Sequence, residues 1–355
     1  MQGNILFDIS HLRFEGSGTA DFNAGMALMS NIDSKRNEFY TERFTKTFGQ
    51  NACRYAPGSV FAYSSVDMRG MDGKLHEEVR IQFEELMNER IQLIETFLTF
   101  LWFVKDNSVG LWSTIGQIPS NGIVNHLANN LSSYNCMGEK NSCVFTPEQI
   151  TEAGALTVKY EKMCPGLITP MREKIMSYEL DQHNNPFRTF IQTQKSIINY
   201  NSQNSIQRAI HFIVLARKQN VLIYKIAYYM AVFESLLTTD SREITTKMSY
   251  RAAFYIAESP QECKEIFRLI GRAYDVRSKF LHGQRFSDDS DFSEKNLLKY
   301  ATKLDEYLRR IFKNIFDRDH ELFTEDESLG SNREAFLNSL VFDTPFRKSK
   351  IPKNK

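Results

Sequence analysis

The sequence predicts a mainly α protein: a C-terminal helical bundle preceded by a mostly helical N-terminal domain with a few short strands. Three observations predict it. Apolar residues recur at helical spacing over 75–104 and again from about residue 192 onward. Helix-opening signatures, a small polar residue with proline next or an acid or amide three positions on, introduce several of these stretches. Strand-like alternation is confined to the first 72 residues.

In chain order, "NILFDISHLRF" and "SVFAYSSVDM" carry alternating β-branched or aromatic residues and read as strands. Val79, Phe83, Leu86, Ile94, Phe97 and Leu101 share one helix face. The apolar run "TFLTFLWFV" ends that helix between Glu95 and Lys105; it is too short to cross a bilayer and reads as a buried helix segment. "IPSNG" and "NNLSSYNCMGEKNS" read as loop. Thr146, Pro147 and Gln149 open a helix that "CPG" ends. "HNNPF" at 183–187 marks the boundary between halves.

Beyond that boundary only helices are expected. Two span about 203–218 and 220–238. A third, over "TTKMSYRAAFYIAE", takes Asp240 as cap with Glu243 three residues on. A fourth opens at Ser259, Pro260 and Glu262 and closes at Gly283, a natural C′ residue. The last covers about 293–316, after the acidic run "SDDSD", which lacks calcium-loop spacing and reads as a solvated turn capping the next helix. The expected domains are 1–190, a regulatory, partner-binding or sensor unit; 191–325, the helical unit; and 326–355, a basic tail.

Composition bounds the function. The 355 residues are 42% hydrophobic and 25% charged, with 27 phenylalanines, an ordinary soluble profile with ample core material. A net charge of +1 confines any nucleic-acid site to a local basic patch. The 5 cysteines include no CxxC pair, and Cys136 and Cys143 with His126 match no common zinc spacing. Reduced thiols in a cytoplasmic protein are the expectation, with no cofactor, no metal and no membrane association. "MQGNILFDISHL" has no secretory-signal pattern.

Two charged residues depart from the apolar patterning. On the helix opened by Ser259, the residues Cys263, Phe267, Ile270, Tyr274 and Leu281 form a stripe, and Arg277 falls within it. From Ile226 to Thr239, Glu234 is the only charged residue. A carboxylate there needs a cation, and Arg277 and Arg251 are the candidates. His282 lies five residues beyond Arg277, about 140° around an ideal helix. The two converge only if the helix loosens near Gly283 or if two subunits share a cleft. The Arg-x4-His spacing alone is weak, since Arg69 and His76 fit a looser version of it without supporting context. On physics alone, a buried Glu234–Arg277 pair with His282 complementing the helix dipole is the competing reading.

The ordered elements "FESLL", "EITTKMSYRAA" and "YDVRSKFLHG" nevertheless resemble the HEPN superfamily, and more narrowly its Apea-like members, many of them linked to bacterial antiphage defence. The resemblance covers roughly 200–320. It implies a metal-independent endoribonuclease that acts as a homodimer, with Arg277 and His282 as the catalytic pair in a shared cleft. Glu234, Ser278 and Arg251 are then supporting residues, and Lys279 and Arg285 contact RNA phosphates. Many catalytic members carry Asn, Asp or His directly after the arginine; this chain carries Ser278, which can also donate a hydrogen bond. The implied role is a defence or toxin-like effector, with RNA as substrate and a phage-derived trigger or defence-system partner. The alternative is a non-catalytic module that binds nucleotide, RNA or a protein. The chemistry suits the residue types. Attack of an RNA 2′-OH on the adjacent phosphate needs a proton carrier such as imidazole and a cation beside the phosphate, which a guanidinium fork supplies.

Overall fold

The computed structural model describes residues 1–15, 19–23, 26–30, 38–48, 60–128, 133–164, 203–239, 243–285, 292–324 and 331–342. "HNNPF", Asp240 and the acidic run 287–291 lie outside them.

The N-terminal half is built on strands β1 (Gln2–Ser10), β2 (Leu12–Phe14), β3 (Thr19–Asn23), β4 (Met26–Ser30), β5 (Val60–Asp67), β6 (Gly110–Ile118), β7 (Ile123–Ala128) and β8 (Cys143–Phe145). Six of them form one sheet in the order β3-β4-β5-β1-β6-β7, with every neighbouring pair antiparallel. β2 and β8 pair separately in parallel. Helix α1 (Glu42–Phe48) follows β4, and helix α2 (His76–Val104) links β5 to β6.

Side chains of β1 alternate between two covered faces. Ile5, Phe7 and Ile9 meet the face carrying Val79, Phe83 and Met87 of α2. Leu6 points the other way, into a smaller cluster with Phe39, Phe44, Phe61 and Ile115. Glycines let α2 approach closely: a Cβ on Gly3 would lie 2.6 Å from Phe83, and one on Gly116 2.7 Å from the Met87 sulfur.

The sheet is larger than the sequence reading expects. "IPSNG" is the turn between β6 and β7, closed by Gly122 at φ 63. Because β6 is buried on nearly all positions, it lacks the polar–apolar alternation that would mark it as a strand.

The helical half holds α3 (Pro147–Met163), α4 (Ser205–Arg217), α5 (Leu222–Leu237), α6 (Ile244–Ile256), α7 (Pro260–Leu281), α8 (Glu294–Asn314), a π turn over Ile315–Asp319, α9 (His320–Thr324) and α10 (Ser331–Phe342). The mainly α class is correct. The Thr146 capping box forms as the motif requires: the Gln149 N–H donates to Thr146 Oγ1 at 3.3 Å, and the Thr146 N–H donates to Gln149 Oε1 at 3.1 Å. The Ser259 hydroxyl accepts from the Glu262 N–H at 3.2 Å. α6 differs from expectation: Glu243 is its N-cap residue, in the left-handed region at φ 52, and makes no side-chain cap bond. The expected tail also differs, since its residues 331–342 form α10, which buries Leu337 and sends Arg333 Nη2 to the Thr238 carbonyl at 3.1 Å.

The two halves share one apolar core. Phe103 of α2 meets Phe312 of α8 with ring centroids 4.8 Å apart. Trp102 Nε1 donates to Asp305 Oδ1 of α8 at 2.6 Å. A boundary near residue 190 therefore divides the sequence but not the packing. Among the described residues no helix is long and apolar enough to cross a membrane.

Candidate nucleic-acid site

The C-terminal end of α7 carries most of the residues that the sequence singles out. Its buried face is Ile266, Leu269, Ile270, Ala273 and Val276. The expected stripe is therefore rotated: Cys263, Phe267 and Tyr274 are only half-buried, and Leu281 is 56% exposed. Arg277 sits at the edge of the core rather than within it, its side chain 24% exposed.

Arg277 Nη2 donates to Glu234 Oε2 of α5 at 3.2 Å, and the guanidinium lies over the Tyr274 ring at 5.5 Å from its centroid. Of the two partners considered for Glu234, Arg277 is the one the fold brings to it. The second carboxylate oxygen, Oε1, is buried without a hydrogen-bond partner. Burial pushes the Glu234 pKa up, and the Arg277 charge opposes this without cancelling it. A guanidinium has five N–H donors, so the bond to Glu234 leaves others that meet no acceptor among the described residues.

The helix then ends in a Schellman arrangement. The Gly283 N–H donates to the Phe280 carbonyl at 3.1 Å and the Gln284 N–H to the Lys279 carbonyl at 2.9 Å, with Gly283 at φ 64. This stop leaves His282 as the exposed C-cap residue, its N–H donating to the Ser278 carbonyl at 3.0 Å. Ser278 is half-buried between Arg277 and Lys279. The Lys279 ammonium lies 4.0 Å from the Phe292 ring centroid, and Arg285 is exposed just past the turn. Arg251 is held elsewhere. It is buried, donating to the Leu237 carbonyl at 2.7 Å and to Asn338 Oδ1 at 2.9 Å, where it ties the end of α5 to α10.

Sequence reasoning missed a buried polar cluster where α2, α4, α5 and α8 meet. Asp305 is fully buried, and its carboxylate accepts from Trp102, from the Tyr229 hydroxyl at 2.9 Å and from Arg309 Nε at 3.0 Å. Burial raises its pKa, and Arg309 with the hydrogen bonds pulls it back, leaving it at about 6. Lys225 is also fully buried and donates to the Ala216 carbonyl at 2.8 Å; burial lowers its pKa to about 8. Arg217 Nη2 donates to Asn107 Oδ1 at 2.8 Å and Nη1 to the Leu98 carbonyl at 3.2 Å. Lys225 could have been found from its signal, a lone cation in the apolar run "LIYKIAYYMAV". Asp305 gives none, because it stands among ordinary surface-type residues, and Arg217 ends an apolar run beside Lys218, where a solvated cation is expected.

The described cysteines, Cys136, Cys143, Cys164 and Cys263, are free thiols. The Cys136 N–H donates to the Asp106 carboxylate at 3.1 Å, and burial drives the thiol pKa up. His126 packs against the Phe44 and Phe48 rings, each 5.6 Å away. Among the described residues no three His, Cys, Asp or Glu side chains gather as metal ligands. No family model matches the sequence, and neither a curated protein nor a solved structure matches it.

Proposed function

We propose that this protein is a metal-independent endoribonuclease of the HEPN type, acting in the cytoplasm as a homodimeric defence or toxin-like effector. The observation that carries the reading is the arrangement at the end of α7. A half-buried arginine is held by a carboxylate, and a histidine is exposed five residues later by an abrupt helix stop.

In this mechanism His282 takes the proton of the attacking 2′-OH or returns one to the departing 5′-oxygen. Arg277 directs its remaining N–H groups at the phosphate as charge builds on the non-bridging oxygens. Glu234 and Tyr274 fix the guanidinium, so little reorganisation is needed when RNA arrives. Lys279 and Arg285 lie on the same segment and meet flanking phosphates. The two side chains leave α7 at different angles, which fits a cleft shared between two copies. The N-terminal half then serves to sense a phage-derived trigger or a defence-system partner.

One observation favours a second reading, a non-catalytic module that binds nucleotide, RNA or a protein. Arg277 already has Glu234 and Tyr274 as partners, as a structural arginine would. The two readings separate when the purified protein is incubated with labelled total RNA in the presence of a chelator. The ribonuclease reading expects fragments ending in 2′,3′-cyclic phosphate, and their loss in Arg277→Ala/His282→Ala. Undiminished cleavage by that double variant removes the site; tight binding without product supports the second reading.

A further inference from the structure

Beside His282 lies apolar surface that the chain itself leaves uncovered. Tyr224, on the first turn of α5, is 43% exposed, and its ring meets Phe280 of α7 with centroids 5.0 Å apart at 44°. Leu281, which follows Phe280, and Val221, three residues before Tyr224, are exposed as well. The Tyr224 ring, backed by Phe280, stands beside the helix end that exposes His282 two residues after Phe280.

The charge around the rings identifies the occupant. Residues 217–225 and 276–285 contain no acidic side chain, with the exposed Asp275 directly before the second stretch. Lys218, His282 and Arg285 are exposed there, with Lys279 half-buried. A cationic rim around an aromatic step suits a polyanion that also carries flat apolar rings. Unpaired nucleic acid has both, and base–aromatic stacking adds about 1–3 kcal/mol per base.

We infer that Tyr224, backed by Phe280, is a stacking platform for an unpaired base of single-stranded RNA, positioning the nucleotide next to the phosphate at His282. The inference rests on the ribonuclease reading for what happens at that phosphate, but the platform itself requires only RNA binding. Phe280 fixes the Tyr224 ring in place, so the base meets a surface already ordered. Tyr224 is a positioning residue, not a catalytic one.

The test uses a short single-stranded oligoribonucleotide carrying 2-aminopurine, bound to full-length His282→Ala protein so that it stays intact. Binding is expected to quench the probe. Tyr224→Ala is expected to abolish the quench and weaken affinity by about 5- to 150-fold, the fold-change equivalent to losing one stacked base. Tyr224→Phe keeps both, which separates lost stacking from lost folding. Equal quench and affinity in Tyr224→Ala overturn the platform, as does the absence of any RNA binding. Conversion of a dimer to a monomer by Tyr224→Ala with RNA binding unchanged also overturns it, assigning the face to a second copy. The two ideas fail separately. Tyr224-dependent quenching with no cleavage by the wild-type protein removes the ribonuclease reading alone. Cleavage with Tyr224-independent quenching removes the platform alone.

Discussion

Arg277 and Glu234, 43 residues apart in the chain, join α7 to α5 through one charged hydrogen bond of 3.2 Å, while the other Glu234 oxygen is buried and unpartnered. The pair therefore holds the helices together with part of its hydrogen-bonding capacity unmet. Arg277→Ala strands the carboxylate and is expected to cost about 1–3 kcal/mol. Arg277→Met/Glu234→Leu is expected to recover most of that loss, because no half-buried charge remains. Urea denaturation of the wild type and the two variants checks the ordering.

The raised Glu234 pKa has a consequence of definite sign. Its folded value lies above the ordinary 4.5 because burial penalises the charge. Such a group contributes fully where it is protonated in both states, and the contribution fades as pH rises through the folded value. Wild-type stability relative to Glu234→Gln should therefore fall as pH rises above 4.5. Denaturation midpoints of both proteins across that range test it, and a constant difference would contradict the burial argument.

His282 and Gly283 should separate chemistry from stability. His282 is exposed at the helix stop, so His282→Ala should change stability by less than about 0.5 kcal/mol while removing RNA cleavage. Gly283 has open space around its Cα but sits at φ 64. Gly283→Ala should cost about 1 kcal/mol, and Gly283→Asn less, since asparagine tolerates the left-handed region. Thermal melts and cleavage rates measured together distinguish the two positions.

Asp305 gathers donors from both halves: Trp102 of α2, Tyr229 of α5 and Arg309 of its own helix. Asp305→Ala leaves the buried Trp102 and Tyr229 donors and the part-exposed Arg309 unpaired and should destabilise by about 3–5 kcal/mol. Both halves are expected to unfold in one transition, so fluorescence of Trp102 and far-ultraviolet circular dichroism should give the same midpoint. Separate midpoints would mean that the shared core does not couple the halves.

Gly138 docks the turn after β7 onto the α4–α5 connection. It has φ 80, and an added Cβ would collide with the Asn220 carbonyl oxygen. Strain and clash both act, so Gly138→Ala should cost about 2–4 kcal/mol, measurable as a lowered melting temperature.

Most of the helices are legible because their signals are local. The Thr146 box and the Ser259 cap depend on residues within one turn, and periodicity locates α2, α4, α5 and α8 within a few positions. β6 was not legible, since burial on both faces erases alternation. The buried face of α7 lies one strip away from the expected stripe. Large residues such as Phe267 and Tyr274 suggest a core that the smaller Ala273 and Val276 provide. The Glu234–Arg277 pair was readable from two lone charges in apolar surroundings. Arg251 was misplaced because its partners are a backbone carbonyl and Asn338, and no spacing rule points to either.

Helix α2 is 29 residues long, about 43 Å at the α-helical rise. One end lies beneath the sheet, with Phe83 and Met87 wedged against Gly3 and Gly116, and the other ends at Trp102 and Phe103 among the helices. It is a beam clamped at both ends. A single helix therefore touches the sheet at Gly3 and Gly116 and, through Trp102, the Asp305 carboxylate that Tyr229 of the Glu234-bearing helix also reaches.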